Sequence, residues 1–312
     1  MRPWILALSY SAVILMLTTS PMEDQVLARQ KGAPPAIVQT KKIRVNGVAL
    51  NYIERGKGTP VVFVHGTLED YRSWDGQIEA FSKNYRVISL SRRYHYPNAW
   101  TKDSTDFSVA NHARDLAAFL KALKLPPVHL VGHSYGAFIS FLVARDHPEL
   151  IRSLTLAEPP MIPLLKTSPE GDSILNSFVT NCLMPSGEAF KNGKNEEGVR
   201  RFIDGVMGDS SYEKLPQSAR RSMMDNAREL KGETSSRDIF PPVTCADVQM
   251  VKAPTLLLGG EQSPHMFAVI NSMIDQCLTN KERAVIPAAS HGFQFQNPQA
   301  FNASVLAFIA KH

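Results

Sequence analysis

Apolar residues fall along the chain in two rhythms. Between Lys42 and Ile53 they alternate with polar residues on either side of Asn46-Gly47. That dipeptide tolerates the positive φ angles of a tight turn, so an antiparallel hairpin is expected first. Beyond it, short apolar runs at residues 61–64, 87–90, 128–131, 154–157 and 255–258 alternate with helical patterns, such as Leu116, Phe119, Leu120 and Leu123 on one helix face. Alternating β and α segments imply a mostly parallel sheet with helices on both faces, an α/β fold.

The alternation breaks over residues 159–252, where the chain is polar and carries helical patterns around 199–206 and 219–230. A helical insertion placed after one strand and before the next emerges at the carboxyl edge of the sheet, where open α/β sheets bind ligands. It is therefore expected to be a cap over the site. The core then comprises residues 41–158 and 253–312, ending in an amphipathic helix over 298–311.

The N-terminus follows a different pattern. Arg2 precedes an apolar run over residues 5–17, broken by Ser9, Tyr10 and Ser11. Its 13 residues fall short of the roughly 20 that span a bilayer, so residues 1–28 are expected to be a cleaved signal peptide, with an uncleaved anchor as the alternative. Val26-Leu27-Ala28 offers a small-residue cleavage site, although Glu23 and Asp24 make the stretch before it long and charged. Residues 29–40 then form a linker. The expectation is an exported protein, periplasmic or secreted, with membrane association only through the N-terminus.

Composition narrows the class. Of 312 residues, 44% are hydrophobic and 20% charged, enough for a large core. The net charge of +5 comes from Lys and Arg scattered among 29 acidic residues, which argues against a nucleic-acid partner. Cys182, Cys245 and Cys277 lack metal-ligand spacing and allow at most one bridge. Cys277 falls in the apolar pattern of a helix with Phe267, Ile270 and Ile274, so it is read as a buried small hydrophobe.

The chemistry centres on Gly132-His133-Ser134-Tyr135-Gly136. Ser134 follows an apolar strand and precedes a helical run, so it occupies a sharp turn that projects its hydroxyl, with side-chain-free glycines letting the backbone pack around it. The N–H of Tyr135 would face an oxyanion formed when Ser134 attacks a carbonyl, and Thr67, in the loop after His65-Gly66, would supply a second N–H. His65 is expected to brace that loop. His291, in Ser290-His291-Gly292 before the last helix, opens on the same sheet edge and is the side chain able to take the serine proton near neutral pH.

With these motifs on one chain, the sequence from about Lys41 onward resembles the α/β-hydrolase superfamily. The resemblance implies an eight-stranded, mostly parallel sheet and a Ser, acid, His triad in that chain order. Relatives usually carry Asp shortly after the strand at 255–258, where this chain has Ser263 in Gly260-Glu261-Gln262-Ser263. Two carboxylates can replace it. Glu158 ends the preceding strand, where some relatives place the acid, and is favoured because a carboxylate between an apolar strand and Pro159-Pro160 is costly without a partner. Glu261 is the second candidate.

The expected activity is hydrolysis of a small ester or lactone through an acyl-enzyme, with Ser134 as nucleophile, His291 as base and Glu158 as acid, and with no metal or organic cofactor. Carbon–carbon or amide hydrolysis, acyl transfer and ligand binding without catalysis are the alternatives. Epoxide hydrolysis and dehalogenation in this fold would need Asp in place of Ser134. Residues 91–98, with Arg92, Arg93, Tyr94 and His95, either line the pocket or form a structural loop paired with local acids. Trp74 is expected in the core, and Met207, Met223 and Met224 belong to the insertion.

Overall fold

The computed structural model describes residues 39–99, 106–236 and 239–312. The expected signal segment and almost all of the linker lie outside the described residues. Residues 40–312 form one compact unit around an eight-stranded sheet. Its strands are β1 (Lys41–Val45), β2 (Val48–Arg55), β3 (Pro60–Val64), β4 (Arg86–Leu90), β5 (Val128–His133), β6 (Ile151–Ala157), β7 (Thr255–Gly260) and β8 (Lys281–Ile286), in the spatial order β1-β2-β4-β3-β5-β6-β7-β8.

The hairpin forms as its turn chemistry requires. Asn46 and Gly47 take φ of 44° and 79°, and Val45 faces Val48 across the turn. β2 is antiparallel to β1 and β4, and every later pair is parallel. A parallel strand covered on both faces must be apolar throughout, and β3 is buried at all five positions. Val62 and Val64 pack into one core layer, Val61 and Phe63 into the other. Helices α1 (Asp75–Phe81) and, at the C-terminus, Pro298–Ile309 cover the second layer, where Trp74 stacks on Phe63 at 4.7 Å. Helices α2 (Val109–Ala122) and α3 (Tyr135–Asp146) cover the first.

Between β6 and β7 the chain forms a helical insertion: α4 (Pro169–Phe178), a π-helical turn (Val179–Leu183), α5 (Met184–Lys191), α6 (Asn195–Met207), α7 (Gln217–Asp225) and α8 (Ala227–Ser235). The single helix expected around 219–230 is in fact α7 and α8, broken at Asn226. The cause is tertiary. The Asn226 amide donates to Asp70 Oδ2 at 2.8 Å and to the Ser222 carbonyl, and its oxygen accepts from the Tyr96 N–H. Satisfying two distant partners outweighs continuing the helix.

Helices α9 (Cys245–Gln249), α10 (His265–Cys277) and α11 (Pro298–Ile309) complete the fold. Cys277 is not a buried small hydrophobe. It is half-buried and forms a disulfide with Cys245, tying α9 to α10, while Cys182 is free and buried.

Candidate active site

Four strand ends, those of β3, β5, β6 and β8, build the site. After β5, Ser134 takes φ 51° and ψ −126°, a left-handed conformation rare for a residue with a side chain, and α3 starts at Tyr135. The Ser134 N–H donates to the Ala157 carbonyl on β6 at 2.8 Å, and its carbonyl accepts from Ala137, so both flanks hold the strained turn. The neighbouring glycines have steric reasons. A Cβ on Gly136 would lie 2.2 Å from the Val64 carbonyl oxygen, and one on Gly132 would lie 2.5 Å from that of Gly136. Only glycine lets the elbow sit against β3.

The His65-Gly66-Thr67 loop follows β3 and backs onto Ser134, since a Cβ on Gly66 would lie 3.1 Å from that of Ser134. His65 braces it. Its Nε2 accepts from the Arg92 N–H, which leaves Nδ1 as the donor to the Gly66 carbonyl at 2.8 Å. Burial, with Arg92 and His95 nearby, holds its pKa well below the usual histidine value, so it stays neutral. Thr67 and Tyr135 both line the cavity beside Ser134.

The two acid candidates separate cleanly. Glu158, at the end of β6 with φ 48°, is buried, and its Oε2 accepts from His291 Nδ1 at 2.6 Å. Its Oε1 accepts the Gly260 N–H at 2.8 Å. Burial pushes the Glu158 pKa up, but His291, the Ser263 hydroxyl and the Gly260 N–H together hold it below the ordinary carboxylate value. Glu261 is exposed and accepts the Ala288 N–H at 2.7 Å, bracing the turn before His291 without reaching its ring.

His291 is fixed on several sides. Phe267 stacks flat on its ring at 3.9 Å, and its carbonyl accepts from His133 Nε2 at 2.8 Å. His133 in turn lies 3.5 Å from Glu69 Oε1, and Glu69 Oε2 accepts the Gly66 N–H. Burial lowers the His291 pKa, and the Glu158 carboxylate restores only part of the loss. The imidazole is therefore neutral at pH 7. Its Nε2 is buried and has no hydrogen-bond partner among the described residues. Ser134 and His291 line one cavity of about 460 Å³, along with Met207 and Met223 of the insertion. Ser134, Thr67 and Tyr135 line a second of about 40 Å³, with Phe178, Phe240 and Glu233.

Residues 91–98 form a structural loop. Arg93 pairs with Asp115 at 2.6 Å, and the buried Arg92 donates to the His65 and Gly66 carbonyls and pairs with Glu229 of α8 at 3.0 Å. His95 and His112 also contact Glu229, at 2.7 and 3.2 Å. Arg72 pairs with Asp70 and with Asp225 of α7. Sequence reasoning missed Glu229 and Glu233. Burial beside Glu229 raises the Glu233 pKa well above the usual value, and its Oε2 accepts from Thr67 Oγ1 at 3.3 Å. The available signal was their spacing, four residues apart around Leu230, which puts both carboxyls on the face that packs inward.

The comparisons with known proteins agree with this architecture. The family model described as "alpha/beta hydrolase fold" matches residues 59–298, and the chain belongs to that family. It is a hydrolase. The (E)-2-((N-methylformamido)methylene)succinate hydrolase of Acinetobacter baylyi is 24% identical over 267 residues, covering 85% of this chain and 95% of that protein. Epoxide hydrolase 2 of Caenorhabditis elegans is 28% identical over 284 residues, covering 86% and 79%. Among solved structures, the enol-lactonase from Burkholderia xenovorans LB400 superposes with a TM-score of 0.71 at 15% identity, covering 86% of this chain and all of that one.

Proposed function

We propose that this hydrolase cleaves carboxylic esters or lactones through an acyl-enzyme on Ser134. The observation that carries the reading is the pairing of a serine held at positive φ with a buried, neutral His291 whose Nδ1 is anchored on Glu158 and whose Nε2 is unpartnered, both facing one cavity. Ser134 Oγ attacks the carbonyl carbon while His291 Nε2 takes its proton, and the N–H groups of Thr67 and Tyr135 stabilise the oxyanion. His291 returns the proton to the departing alkoxide. It then takes a proton from the water that attacks the acyl carbon and passes it to Ser134 Oγ as the acid departs. Glu158 holds the tautomer and stabilises the imidazolium. Serine in place of Asp argues against the epoxide opening named for the nematode relative, and a serine–lactone reaction fits the lactonase whose fold this chain shares.

Stopped-flow kinetics with p-nitrophenyl butyrate test the reading. A burst of nitrophenol equal to the enzyme concentration, or steady turnover lost in Ser134→Ala, is expected. Turnover that survives Ser134→Ala contradicts it.

The helical insertion, on this reading, caps the site, since Met207 and Met223 wall the cavity that holds His291. We also propose export, supported by the Cys245–Cys277 disulfide, a bond that persists in oxidising compartments. Mass spectrometry of the protein from its native host tests this. A mature start near residue 29 is expected, and an intact Met1 in the cytoplasmic fraction would contradict it.

A further inference from the structure

The two cavities that meet at Ser134 differ in size about tenfold and in which catalytic groups they contain. The larger, about 460 Å³, is lined by His291, Gly292 and His133 and shares Thr67 with the smaller but lacks Tyr135, and its walls include Leu215, Met223 and Phe295. The smaller, about 40 Å³, is lined by Thr67 and Tyr135 but not by His291. Ester cleavage assigns these roles by chemistry. The leaving oxygen must take its proton from His291 Nε2, so the alcohol portion lies on the histidine side. The carbonyl oxygen points at the oxyanion donors, and with the alcohol on the histidine side the acyl chain is left to the smaller cavity, which His291 does not line.

Resting on the esterase reading above, we propose that this site selects esters of a short acyl group, about two to four carbons, with a bulky apolar alcohol. The volume sets the limit. At about 40 Å³ the smaller cavity is only a few times the space of one water site, room for no more than a few heavy atoms beyond the carbonyl carbon. The larger cavity lies in the range typical of sites for drug-sized molecules.

The small cavity has stiff walls. Phe267 cannot move aside without displacing His291, on which it stacks at 3.9 Å, and Phe240 stacks on Phe138 in the core. On the insertion side, the i→i+5 turn of Val179–Leu183 widens the helix locally, and Phe178 and Leu183, five residues apart, both face the cavity. That departure from α-helix puts two large side chains where a longer acyl chain would run. The remaining wall carries Glu233 and Thr67, which are bonded to each other.

The full chain can be tested with p-nitrophenyl acetate, butyrate and octanoate. One methylene in a fitted pocket changes kcat/KM by about 10–200-fold, so butyrate is expected to exceed octanoate by at least about 100-fold. Phe178→Ala should raise the octanoate-to-butyrate ratio about tenfold or more. Met223→Trp, on the alcohol side, should leave that ratio unchanged and lower kcat/KM for 2-naphthylmethyl butyrate relative to ethyl butyrate. The wild-type series stands without either variant. Octanoate cleaved within about threefold of butyrate, or a ratio unmoved in a folded Phe178→Ala, overturns the assignment of the cavities and leaves the esterase reading intact. No turnover of any ester overturns both.

Discussion

His291 Nδ1 and Glu158 Oε2 lie 2.6 Å apart inside the protein, joining a loop after β8 to the end of β6 across 133 residues of sequence. On the proposed mechanism the bond orients the imidazole, and the carboxylate charge favours the imidazolium that forms when Ser134 gives up its proton. Glu158→Gln keeps the shape and removes the charge, so kcat is expected to fall by about 10³- to 10⁴-fold with the melting temperature little changed. Glu261→Gln should stay within about twofold, because its carboxyl serves only the Ala288 N–H. The reverse order, measured on any turned-over ester, would assign the acid to Glu261.

Burial also sets the pH range. His291 has a pKa below the ordinary value of 6.5, lowered by burial and by His133, against Glu158, which raises it. The base must be neutral to act, so the acid limb of kcat/KM is expected to have its midpoint below pH 6.5. The unfolded chain takes up this proton more readily than the folded one, so the same group contributes stability above pH 6.5 that is lost as pH falls. A limb centred at pH 7 or higher would contradict the burial argument.

Glu233 has the opposite sign. Its folded pKa is raised by burial and by Glu229, with Arg92 opposing, so the folded protein keeps a proton that the unfolded chain releases above about pH 4.5. Stability should therefore fall as pH rises past that value, by up to about 1.4 kcal/mol per pH unit until Glu233 ionises. Glu229, Arg92, Thr67 and Tyr135 face it, and His95 and His112 contact Glu229. Glu233→Gln removes this proton, so its stability should decline less between pH 5 and 8 than that of the wild type. Parallel denaturation curves over that range would show that Glu233 ionises freely.

Much of this architecture was legible from pattern. A strand such as residues 61–64 is apolar because both its faces are covered, and Asn46-Gly47 announces its turn through the backbone angles it tolerates. The elbow was legible because its glycines have no substitute where Val64 and Gly136 approach. What stayed hidden depends on distant partners. Asn226 breaks a helix for contacts to Asp70 and Tyr96. Cys277 sits at an apolar helical position, yet its partner lies 32 residues earlier. Glu229 and Glu233 look like solvent-facing charges on a polar helix until Arg92, His95 and His112 close over one of them. The choice between Glu158 and Glu261 rested on two positions of sequence, and only the fold shows that Glu261 turns toward Ala288.

The central claim is that Ser134 is a nucleophile activated by His291. The most direct measurement is covalent labelling of the folded protein with a fluorophosphonate, with the modified peptide mapped by mass spectrometry. One adduct per chain on Ser134 is predicted, abolished in Ser134→Ala and strongly slowed in His291→Ala. An unlabelled protein, or an adduct on another residue that persists in Ser134→Ala, would contradict it.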